Sequence, residues 1–252
     1  MPPPVLWQFK YSHYNEKVRW ALDFKRVPHR RRSMLPGMHI LPIVWMTRQK
    51  AVPVLVLNGK PIADSTRIIE TLETLHPDPP LYPAEANARR RALDLEEFFD
   101  EELGPHLRRV WFYEVLPDAA YTASQLSVGF SGASRAVYRA MFPGIRAVMK
   151  LDMGISRPNA EASRAQVHAA LDRLETELQP SGYLVGDTFS VADLTAAALF
   201  APLVMPPEFP YPLLTPPTPA AQFRDALASR RGFAWVTDIY RRHRSISAEI
   251  SA

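Results

Sequence analysis

The stretch Ala51–Glu73, AVPVLVLNGKPIADSTRIIETLE, confines this chain to few architectures. It reads as a short apolar strand, an Asn-Gly turn, a second short strand and a helix opening on Ser-Thr. Pro53 has no amide hydrogen, so it suits a strand's first residue or edge and not its middle. Asn58-Gly59 between apolar runs is a strong hairpin signal, because both residues of such a turn need positive φ. Asp64-Ser65 then falls at a helix start, where free backbone N–H groups and the helix dipole favour an anion. Strand edge, hairpin and helix end together form a place to hold a small acidic peptide.

This stretch resembles the second half of the thioredoxin-like domain of glutathione S-transferases. The resemblance implies an α/β thioredoxin-like N-terminal domain followed by an all-α helical C-terminal domain. In that family the proline is cis, and the residue before it pairs its backbone with the cysteinyl part of glutathione. An acidic-Ser pair at the helix start holds the γ-glutamyl end. Carried over by position, the glutathione-binding residues are Val52, Pro53, Asp64 and Ser65. Ser65 has a hydroxyl and an N–H for an α-carboxylate, and Asp64 suits the α-ammonium; either residue alone also reads as a plain N-cap.

Elsewhere Val5–Phe9 reads as a strand, Tyr14–Arg26 as a helix with Arg19 and Asp23 paired at i,i+4, and His29–Ser33 as an edge strand. A short helix is expected over Ile40–Thr47. The proline-rich run His76–Pro83 reads as a stiff linker, which divides the chain into residues 1–83 and 84–252. Beyond it, helices are expected over Ala84–Leu103, His106–Leu116, Ser134–Lys150 and Ala160–Leu178, with a kink or end at Gly104-Pro105. Pro202 to Pro219 reads as a wrapped loop and Ala220–Arg242 as a last helical region. The run Leu184–Leu194, LVGDTFSVADL, resembles the family's turn and buried core helix, with Ser190 and Asp193 as a capping box of structural purpose.

The chain has no cysteine among its 252 residues, which excludes disulfides, thiolate metal sites and a cysteine nucleophile. The sequence implies no metal. The first 83 residues hold 12 Lys/Arg against 6 Asp/Glu, a balance suited to a ligand with two carboxylates. The arginine runs at 30–32, 89–91 and 241–244 read as solvated faces, so no nucleic-acid partner is expected. The start lacks a basic segment followed by an apolar core, and the apolar run Ala196–Met205 is too short to span a bilayer. A soluble, cytoplasmic protein with no membrane partner is the expectation.

The family resemblance implies glutathione as cosubstrate, a homodimer, and attack of the glutathione thiolate on a small hydrophobic electrophile. A thiol of pKa near 8.5 is only ~3% ionised at pH 7. Lowering that pKa by about two units ionises roughly three quarters of it, and needs ~2.7 kcal/mol of preferential stabilisation of the anion. A hydroxyl at a helix N-terminus can provide this. The segment Lys10–Arg19, KYSHYNEKVR, resembles the opening of serine-type members, with His13 where proline is usual. Ser12 is then the activating residue, Tyr11 the next candidate and Tyr14 a third. For the glycyl carboxylate the candidate is Lys50, with Gln49, Arg48 and His39 behind it. The electrophile is expected near Trp111, Phe112, Tyr113, Tyr121 or Phe130. The same fold also serves non-catalytic binding proteins, and that alternative stays open.

Overall fold

The computed structural model describes residues 2–244 and 246–250. The chain first builds β1 (Val5–Gln8), α1 (His13–Phe24), β2 (Arg30–Ser33), α2 (Ile40–Thr47), β3 (Val54–Leu57), β4 (Lys60–Ala63) and α3 (Ser65–Leu75). The strands make one mixed sheet in the order β2-β1-β3-β4. β1 and β2 are parallel, so they need a crossover, and α1 provides it; the other two pairings are antiparallel. Asn58 and Gly59 turn the β3–β4 hairpin at φ 51 and 78. Pro61 sits in the edge strand β4, where its missing N–H interrupts no ladder. The Val52–Pro53 bond is cis, as the resemblance implied.

After residues 76–85, which hold no helix or strand, the chain is helical. The helices are α4 (Ala86–Phe98), α5 (Gly104–Val115), α6 (Ala119–Leu126), α7 (Gly132–Asp152), α8 (Arg157–Glu177), α9 (Val191–Val204), α10 (Thr218–Asp225) and α11 (Arg231–His243). A small mixed sheet with helices followed by a helical domain is therefore the architecture. The main core joins both parts: Leu6, Val18, Trp20 and Ile68 from the first pack in one cluster with Leu95, Phe99, Leu199 and Tyr240 from the second. α9 lies at its centre, with 13 of its residues buried. It starts at the expected capping box, where Asp193 accepts from the Ser190 amide at 2.9 Å and the Leu184 amide at 2.8 Å. Burial pushes the Asp193 carboxyl up to about 6, so the carboxylate still accepts these bonds at neutral pH.

Several expectations need correction. Gly104-Pro105 does not break the helix. One π-helical turn, Phe99–Leu103, connects α4 to α5 and moves Pro105 into the first turn of α5, where a missing N–H costs nothing. Gly104 is required there, because a Cβ would stand 2.0 Å from the Tyr14 hydroxyl. α6, not foreseen, is only eight residues long and depends on Asp118 accepting from the Tyr121 amide at 2.9 Å. Pro202 lies inside α9, so the wrapped loop is 205–217, and the last helical region divides into α10 and α11.

Arg19 does not pair with Asp23. It pairs with Glu16 at 2.7 Å, while Asp23 takes Arg31 at 2.6 Å and Arg244 at 2.9 Å. The arginine runs are also not simply solvated faces. The Arg31 and Arg244 side chains are buried in these pairs, Arg32 lies over Trp7, and Arg91 pairs with Glu177.

Candidate functional site

The sheet register decides where the candidate residues meet. Trp7 of β1 faces Val54 of β3, and Val54 faces Ala63 of β4. The loop after β1, the Val52–Pro53 bond before β3 and the Asp64-Ser65 pair after β4 therefore leave the same end of the sheet. The first turn of α1 sits among them: Asn15 Nδ2 donates to the Val52 carbonyl at 3.5 Å, and Lys17 Nζ donates to Thr66 Oγ1 at 3.1 Å.

Each candidate keeps hydrogen-bonding capacity at this end. Ser12 caps α1, its Oγ accepting from the Asn15 amide at 3.4 Å, while its own hydroxyl hydrogen has no acceptor among the described residues. The Val52 N–H likewise has no partner among them. Ser65 is buried, begins α3, and its hydroxyl is unpaired among the described residues. Asp64 caps the same helix at φ 80, accepting from the Arg67 amide at 3.1 Å. A non-glycine residue at that φ costs roughly 1–3 kcal/mol and persists only where its surroundings enforce it.

Buried charges fix this end. Arg19 Nη1 donates to the Phe9 carbonyl at 3.1 Å and Nη2 to the Lys10 carbonyl at 3.0 Å, pinning the loop before Ser12. Its partner Glu16 is held in turn by Arg244 at 2.6 Å. Beneath Ser65, Lys17 lies 2.7 Å from Glu96 and 2.5 Å from Asp100. Burial alone would lower the Lys17 ammonium, but Asp100 and then Glu96 outweigh it and hold it above its ordinary value. Burial pushes the Glu96 carboxyl up, and the neighbouring Asp100 adds to this.

The other candidates are differently occupied. Tyr11 spends its hydroxyl hydrogen on the Pro212 carbonyl at 2.8 Å, and burial pushes its pKa up to about 12. Tyr14 donates to the Asp100 carbonyl at 2.6 Å, and burial raises its pKa as well. Lys50 is exposed and ion-paired with Asp152 of α7, and Gln49 bonds both backbone groups of Ala51. The His39 ring accepts from the Gly37 amide at 3.1 Å, whereas Arg48, at φ 64, has no ion-pair partner among the described residues.

His13 is only 5% exposed. Burial first, then Arg108, drives its pKa down to about 3, so the ring is neutral across the physiological range. The unfolded chain protonates this histidine near pH 6.5. Stability is therefore present above that pH and lost as pH falls toward the folded value. Between pH 7 and 5 the protein is expected to lose about 2 kcal/mol more than a His13→Phe variant. Urea denaturation at the two pH values measures this difference, and parallel losses would show that His13 is not the titrating group.

Beside His13 lies a cleft between the two parts of the chain. α5 contributes Arg108, Trp111 and Phe112, α6 contributes Tyr121 and Gln125, and the loop 205–217 brings Phe209 and Leu213. Of the aromatic residues expected around an electrophile, Trp111, Phe112 and Tyr121 line it, while Tyr113 and Phe130 do not. The loop is strapped down by Gln8, whose Nε2 donates to the Tyr211 hydroxyl at 2.7 Å, and by Gln125, whose Oε1 accepts from the Leu214 amide at 2.7 Å. Arg108 and the strap residues were missed by sequence reasoning. Only the helical spacing of Arg108, Trp111, Phe112 and Val115 hinted at a shared face.

Two family models match the chain. The N-terminal domain of glutathione S-transferase matches residues 6–80, and the C-terminal domain matches residues 157–237. The chain belongs to the glutathione S-transferase family. Glutathione S-transferase U24 of Arabidopsis thaliana is 32% identical over 42% of this chain and 50% of its own length. A probable maleylacetoacetate isomerase of Caenorhabditis elegans is 33% identical over 36% of this chain and 45% of its own. The chain thus spans about half the length of the curated relatives it matches. A Methylobacterium radiotolerans glutathione S-transferase, solved in complex with glutathione sulfonate, shares the fold. It has TM-score 0.58 and 23% identity, over 92% of this chain and 93% of that one. Among the described residues of this family member, no cluster of three or more His, Cys, Asp or Glu side chains is placed to hold a metal, and no helix is long and apolar enough to cross a membrane.

Proposed function

We propose that this glutathione S-transferase family member binds glutathione at the shared end of the sheet and presents it as a thiolate to an apolar electrophile. One observation carries the reading: Ser12, Val52 and Ser65 converge there with unspent hydrogen-bonding groups, beside an aromatic cleft. In this reading the Val52 backbone pairs with the cysteinyl unit, with Pro53 fixing the turn. Ser65 and the free first-turn amides of α3 take the γ-glutamyl carboxylate, and Asp64 takes the ammonium. Lys50 remains the candidate for the glycyl carboxylate, and would have to exchange Asp152 for it. Ser12 faces the sulfur. A domain boundary at residues 83 and 84, a homodimer and a cytoplasmic location complete the proposal.

Ser65→Ala tests the binding half. It removes one hydrogen bond to a charged group and is expected to weaken glutathione binding about tenfold. The rate constant of the chemical step at saturation should change less than the affinity. Calorimetry showing equal affinity would remove Ser65 from the site. Binding without turnover over a panel of electrophiles would favour a ligand-binding protein on the same fold.

A further inference from the structure

The polar groups lining the cleft can be sorted by what they already hold. The Tyr11 hydroxyl donates to the Pro212 carbonyl at 2.8 Å. The Thr122 hydroxyl donates to the Val115 carbonyl at 2.6 Å. The Gln125 amide accepts from Leu214 and donates to the Pro212 carbonyl at 3.3 Å. The Trp111 indole N–H and the Tyr121 hydroxyl have no partner among the described residues, but both are neutral groups; the basic side chains that remain are Arg108, and His13 with its buried Nε2 lacking a partner among the described residues. No Asp or Glu among the described residues lines the cleft. Arg108 forms no ion pair or hydrogen bond with any described residue, whereas its neighbour Arg109 is committed to the Met153 carbonyl at 2.9 Å and Ser163 at 2.8 Å. Lys10 does not line the cleft; its ammonium donates to the Val128 carbonyl at 2.9 Å and lies over Phe130. The cleft therefore presents aromatic walls and, among the described residues, a single uncompensated charge, which is positive.

A guanidinium fork matches the planar oxygens of a carboxylate and fixes a ligand's direction, while apolar walls supply most of the contact area. We infer that the second substrate is an aromatic electrophile bearing a carboxylate, whose anionic end is held by Arg108 while its ring lies against Trp111, Phe112 and Tyr121. The inference rests on the glutathione reading above and adds to it the charge and shape of the co-reactant. The neutral His13 brings no second charge to the cleft. The group transfer is a substitution: the glutathione sulfur forms a bond to the ring carbon, and the carbon–halide bond breaks with its electron pair leaving on the halide.

The test compares two electrophiles with the same leaving group, 1-chloro-2,4-dinitrobenzene and 4-chloro-3,5-dinitrobenzoate. In the unmodified protein the benzoate is expected to show the lower KM. Arg108→Leu should raise the benzoate KM about tenfold, as expected for one charge-assisted hydrogen bond open to water. Its effect on the KM for the neutral compound should be several-fold smaller than its effect on the benzoate KM, because the neutral compound has no anionic end for the guanidinium to hold. Arg108→Lys should recover part of the loss. Equal effects on both electrophiles overturn the inference, as does a raised pKa of bound glutathione in Arg108→Leu, which would place the guanidinium on the sulfur. Calorimetry with 1-naphthoate against 1-naphthalenemethanol reads Arg108 without turnover. If glutathione fails to bind, the site reading fails, yet the naphthoate preference and its loss in Arg108→Leu still decide the inference.

Discussion

Lys17→Met is expected to destabilise the protein by about 3–5 kcal/mol, the cost of removing one partner from a buried ion cluster. Lys17 is fully buried, and its ammonium serves Glu96, Asp100 and Thr66 together. Without it two carboxyl groups share a buried space with no cation, and Asp100 already has one oxygen, Oδ1, buried without a partner among the described residues. Methionine fills most of the volume, so the loss reports charge and not a cavity. The damage should centre on the start of α3, because Thr66 Oγ1 lies 3.1 Å from Glu96 and 3.0 Å from Asp100 and directly follows Ser65. Urea denaturation measures the first effect. Glutathione affinity in the surviving folded fraction measures the second. A variant of unchanged stability would show that the two acids tolerate each other without the lysine.

Ser12→Ala is expected to raise the pKa of bound glutathione by up to about two units, about a hundredfold less thiolate in the limit and ~2.7 kcal/mol. The helix dipole and the free Val52 amide remain, so affinity should fall far less than reactivity. The cap is also lost, and that costs about 0.5–2 kcal/mol of stability. The two effects separate in a titration of thiolate absorbance on the folded complex, and Ser12→Thr should restore both. An unchanged titration would reject Ser12. The activator would then have to be sought elsewhere, since Tyr11 and Tyr14 both donate to carbonyls and are pushed up by burial.

Much of the first part of the chain was legible in the sequence because its signals are local. An Asn-Gly pair dictates its own turn, and the structure places it at φ 51 and 78. Pro53 fits only where a strand begins, and β3 starts one residue later. Ser190 and Asp193 cap each other across three residues, so no distant partner is needed to recognise them. Charged residues were less legible. Helical spacing offered Arg19 and Asp23 as a surface pair, but both are buried and matched to other partners. The proline-rich loop read as irregular, which it is, but nothing in its composition placed Phe209 and Leu213 in the cleft.

By itself the sequence determined the β3–β4 hairpin, the caps of α3 and α9, and the helical character of the chain beyond the linker. These depend on backbone preferences and hydrogen bonds spanning a few residues. Tertiary structure alone decided which charges could be buried and which stayed free. Glu16 and Arg244 stand 228 positions apart and meet at 2.6 Å. A buried ion is tolerated only when its counterion arrives from elsewhere in the fold. The same packing that gave Arg19, Lys17 and Arg244 their partners left Arg108 at the cleft with none among the described residues.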